Sequence, residues 1–125
     1  QMCIRDRDGA VLPRDRVLAV FDAYRDHAEN AYEQGFRGCG LLNAAAELPA
    51  GDPGRQAVRR HKEEVEALLA APLAELLPQD PARAARLARQ LAFLLEGAMT
   101  RAGLEGGSAC VLEARALACD LLDSL

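Results

Sequence analysis

Apolar residues in this chain recur every three to four positions rather than every second one, a period that predicts helices. Pro13 can open the first helix and Gly35 can close it, with Val17, Phe21, Tyr24, Ala28 and Ala31 on one stripe. The stretch from Phe36 to Gly40 reads as a tight connection, and residues 41–48 as a short, almost wholly apolar helix. Asp52-Pro53 then pairs an N-cap with a proline at the first helical position. The helix it starts carries Val58, His61, Val65, Leu68 and Leu69 on one face, and Pro72 is expected to kink or end it, with Leu73, Leu76 and Leu77 continuing to Pro78. Asp80-Pro81 repeats the start signal for a helix to about Ala102, whose stripe is Leu87, Leu91, Leu94, Leu95 and Ala98. Gly106-Gly107 breaks the chain, and Ser108 can cap a last helix that reaches almost to Leu125. The expected architecture is all-α, a bundle of four longer helices and one short one.

Composition sharpens this picture. Half of the residues are hydrophobic but only 4% are aromatic, and Ala and Leu supply most of the apolar content, which favours packed helices over sheet. The formal charge of −4 gives no bulk attraction for nucleic-acid phosphates. With no run of eighteen apolar residues and no leader-like segment, a soluble cytoplasmic protein is expected. Residues 1–7, Gln-Met-Cys-Ile-Arg-Asp-Arg, stand apart: back-translated, they resemble a transposon-library sequencing adapter. Ile4 is the only isoleucine and Lys62 the only lysine beside many arginines, a bias that suits a GC-rich genome. Residues 1–7 are therefore expected to be an artefact, and residues 8–125 a single domain whose native beginning is missing.

The last helix has too much apolar surface for a helix with one wet face. Cys110, Ala114, Leu117 and Leu121 form one stripe, Val111, Ala118 and Leu122 a second, and Leu112, Ala116 and Cys119 a third. On the helix before it, Phe93 and Leu104 lie opposite the main stripe, near Gly97, on an Arg-rich face. Two such helices from each of two chains would form a four-helix bundle about a two-fold axis. The expected dimer contacts are Phe93, Gly97, Leu104, Val111, Ala118 and Leu122; the plainer alternative is that a missing segment covers these surfaces.

Candidate chemistry is sparse. His61 interrupts an apolar stripe, where a neutral imidazole could orient a ligand or simply bond a carbonyl. Tyr24 shares a stripe with Phe21, so its hydroxyl needs a partner if buried. Asn43 lies in the short apolar helix, where an unpaired buried amide would cost about 1–3 kcal/mol. Arg55, Arg59, Arg60 and Lys62 are followed at once by Glu63, Glu64 and Glu66, a self-neutralising face. Cys110 and Cys119 sit nine residues apart on opposite helix faces, and Cys39 is isolated in a Gly-rich turn, so neither a disulfide nor a metal site is expected. No nucleophile elbow, metalloprotease or phosphate-loop spacing occurs, and an enzyme is not expected. A small helical enzyme would need a second group converging on His61.

The segment Phe36-Arg37-Gly38-Cys39-Gly40-Leu41-Leu42-Asn43-Ala44-Ala45-Ala46-Glu47 resembles a stretch in the C-terminal domain of many TetR/AcrR-family transcriptional regulators, and the resemblance extends through nearly all of Asp8–Leu125. It implies the effector-sensing and dimerisation domain of a one-component regulator, with no cofactor, a small-molecule effector as partner, and the logic of a repressor in which ligand changes how a dimer meets DNA. The helix-turn-helix of that family is absent here, so operator binding is expected of a longer parent and not of this chain. Phe21, Tyr24, Asn43, His61 and Val65 are the candidate pocket lining. The alternative is a free-standing helical protein-interaction module.

Overall fold

A computed structural model describes residues 12–30 and 49–125. Among them are four helices and no strand: α1 Pro13–Asn30, α2 Pro53–Leu76, α3 Pro81–Glu105 and α4 Ala109–Asp123. The expected stop at Gly35 and the short helix at 41–48 lie outside the described residues.

Local chemistry sets the ends of these helices. Asp52 Oδ1 accepts a hydrogen bond from the Gly54 backbone N–H at 2.7 Å, and Asp80 Oδ1 accepts one from Arg83 N–H at 3.1 Å. Each cap precedes a proline, whose missing N–H would have had no partner in a first turn. Gly106 ends α3 in the left-handed region, with φ of 80°, and its N–H donates to Ala102 O at 2.8 Å. A side chain there would be strained.

Of the two outcomes expected at Pro72, a kink or an end, the end does not occur: α2 continues through it to Leu76. Pro72 leaves the carbonyl of Leu68 without its helical partner. One local expectation needs correction. Ser108 occupies the N-cap of α4 but makes no side-chain cap bond; its hydroxyl donates instead to Glu29 Oε2 on α1, at 2.9 Å.

The helices form an up-and-down bundle. α1 lies against α2 and α4, α3 lies against the same two, and α1 meets α3 across the diagonal. The central element is α3, which buries Ala84, Leu87, Ala88, Leu91, Ala92, Leu95, Met99 and Ala102 along its length. Leucines fill the space between helices, while the interleaved alanines let α1 and α4 approach. The main core adds Val17, Leu18 and Phe21 from α1, Leu69 and Leu73 from α2, and Ala114, Ala118 and Leu122 from α4. A smaller cluster of Ala28, Met99, Ala102 and Val111 closes the far end, and Tyr24 touches both clusters. Burial on α2 is concentrated in its second half, at Leu69, Pro72 and Leu73.

Polar contacts stitch α1 to α4 in antiparallel register. Arg14 meets Asp123 at 3.0 Å, Asp22 meets Arg115 at 2.6 Å, and Glu29 meets Ser108 at 2.9 Å. Along both helices these contacts advance by eight and then seven residues, about two turns each time. The central contact is the best sheltered. Arg115 Nε donates to Asp22 Oδ1 and its Nη2 reaches Oδ2 at 3.5 Å, while Arg25 approaches the same carboxylate at 3.3 Å. Arg16 on α1 pairs with Glu75 at the end of α2, which sets those two helices antiparallel as well.

Two outcomes follow for stability. Leu91→Ala, at a site only 1% exposed, is expected to cost about 2–5 kcal/mol in urea unfolding. Asp22→Asn is expected to cost about 1–3 kcal/mol by stripping the charged acceptor from two arginines. In a double-mutant cycle with Arg115→Met, the two losses should combine to less than their sum; simple additivity would mean the pair is not coupled.

Candidate functional site

The faces that the bundle leaves uncovered locate the candidate site. On α3 the side opposite the buried stripe holds Phe93, 57% exposed, and Leu104, 80% exposed. On α4, Leu112 and Leu117 are 44% and 47% exposed. Between the two helices runs an open groove of about 570 Å³. Its walls are Phe93, Leu94, Gly97, Ala98, Arg101 and Glu105 from α3, and Cys110, Glu113, Ala114 and Leu117 from α4. The Arg89 guanidinium lies 5.4 Å from the Phe93 ring centroid and covers one face of the ring. Exposed apolar side chains that share a groove mark a surface built to meet something else.

Gly97 adds an independent sign. A glycine inside a helix costs roughly 0.5–1 kcal/mol relative to alanine. A Cβ placed there would meet nothing within 4 Å, so no neighbour among the described residues requires the missing side chain. Close approach of an outside helix is a physical reason for it.

The two halves of the expected dimer surface fare differently. Phe93, Gly97 and Leu104 are exposed, and Phe93 and Gly97 share the groove. Val111, Ala118 and Leu122 are not available to a partner, being 0%, 0% and 6% exposed. They face the chain's own core, packed with residues of α1 and α3. The outward residues of α4 are Leu112, Ala116 and Leu117. A wheel with three apolar stripes does not say which one faces home. One signal was available: the acidic Glu113 and Asp120 share a side with Ala116 and Leu117, while the charge beside Val111, Ala118 and Leu122 is Arg115, which pairs inward with Asp22 of α1. The stripe beside the two acidic residues is the wet one.

The candidate pocket residues also divide. Phe21 is fully buried in the main core, and Tyr24 and Val65 are half-buried against that core. His61 is exposed. The side of α2 that turns inward runs through Val58, Lys62, Val65 and Leu69, and His61 sits roughly 60° round from it, on the shoulder with exposed Leu68. Its apolar neighbours in sequence suggested a core position that the helix phase does not supply. Asn43 lies outside the described residues, as does Cys39.

The basic cluster at the start of α2 behaves as expected of a solvated face. Arg59 Nε pairs with Glu63 Oε2 at 3.3 Å, and Arg55, Arg59 and Lys62 line an open groove with Glu63, Glu66 and Glu96. Phe93 and Arg89 form the other wall of that groove, so Phe93 stands on a ridge between two depressions. Cys110 Sγ donates to Glu105 Oε1 at 3.3 Å. That hydrogen bond, with some burial and the charge of Glu105, raises the thiol above its usual range and makes it a poorer nucleophile. Among the described residues no three metal-binding side chains converge, and no helix is long and apolar enough to cross a membrane.

Comparison with known proteins agrees with this architecture. The family model described as "Tetracyclin repressor-like, C-terminal domain" matches residues 13–118, which takes in α1, α2, α3 and most of α4. No curated protein and no solved structure matches the chain. The match spans most of the chain, whose described residues fold as helices with an exposed apolar groove between the last two, and the chain belongs to the tetracyclin repressor-like C-terminal domain family.

Proposed function

We propose that this chain is the effector-sensing and pairing half of a TetR-like transcriptional regulator, a repressor in the cytoplasm. It pairs with a second copy of itself through the outer face of α3 and α4. The observation that carries this reading is the α3–α4 groove with Phe93, Gly97 and Leu117 along it and exposed Leu104 and Leu112 beside it. The sheltered Val111, Ala118 and Leu122 hold α4 in place from behind.

A small-molecule effector would enter from the side of Tyr24 and Val65, over a floor that includes Phe21. Asn43 and His61 belong to the same proposal, His61 from the rim. Effector binding then works by linkage. A ligand that favours one packing of α1 and α2 favours one placement of α4, and with it one geometry of the pair. A coupling of about 1–3 kcal/mol would change operator affinity of a longer parent roughly 5–150-fold. No catalytic role is assigned.

The test is solution mass by sedimentation equilibrium, paired with thermal unfolding. The wild-type chain is expected to be a dimer at micromolar concentration, and Phe93→Glu/Leu117→Glu a folded monomer. Gly97→Ala separates pairing from folding. It should stabilise the isolated chain by about 0.5–1 kcal/mol, because alanine is the better helix former, while weakening the dimer by blocking close approach. A dimer unaffected by all three changes removes this face from the proposal. A wild-type monomer would favour an interaction module whose face meets a different protein.

A further inference from the structure

We draw no further inference here: the strongest candidate, the open groove of about 580 Å³ between the start of α2 and the middle of α3, mixes cationic and carboxylate side chains around Phe93 so that its charges favour no one class of ligand, and nothing in the structure shows what covers it.

Discussion

The buried stripe of α3 is the constraint on which the rest of the domain depends. It runs from Ala84 to Met99 and Ala102 and touches every other helix of the described bundle. Because alanines alternate with leucines along it, α1 can approach across the diagonal and drive Phe21 into the centre. Burial of that stripe also fixes the rotation of α3 about its axis. Once Leu91 and Leu95 face inward, the 100° advance per residue leaves Phe93, Gly97 and Leu104 facing out. The proposed pairing face is the geometric complement of the core, set by the same hydrophobic effect that folds the chain.

Electrostatics has a different task. The contacts of Arg14, Asp22 and Glu29 with Asp123, Arg115 and Ser108 border the α1–α4 interface and choose its register. Alanine-rich helices slide past one another at small cost in packing, since one alanine resembles the next. Charge pairs do not slide so easily, because a displacement of one residue separates every partner. The sheltered Asp22–Arg115 contact is the strongest of the set, while the rim contacts add little energy but agree on the same register. In the proposed mechanism, this register would carry a displacement of α1, with Phe21 and Tyr24 on it, to α4 and the pairing face.

Helix positions were legible from the sequence because their signals are local. Asp52-Pro53 and Asp80-Pro81 are caps that act within one turn, and Gly106 stops α3 through its own backbone conformation. Helix phase was harder to read where apolar residues crowd. His61 looked like a stripe residue among Val58, Val65 and Leu68, yet Lys62 occupies the inward phase and His61 is exposed. On α4 the choice of Val111, Ala118 and Leu122 as an outer surface was reversed, because a helix apolar on three stripes has no unique inner side until a neighbour is placed.

The sequence by itself determined the class of fold, the starts of the described helices, the family, and the presence of a surplus apolar surface on the last two helices. These follow from period, capping chemistry and composition, each carried by residues close together in the chain. Only the tertiary structure decided which surplus stripe is spent on the domain's own core and which is left for a partner. It also decided that Arg115 would donate a charge-assisted hydrogen bond to Asp22, 93 residues away in sequence. Such outcomes depend on how helices far apart in sequence are rotated and offset against each other, and that is settled by the joint packing of all of them.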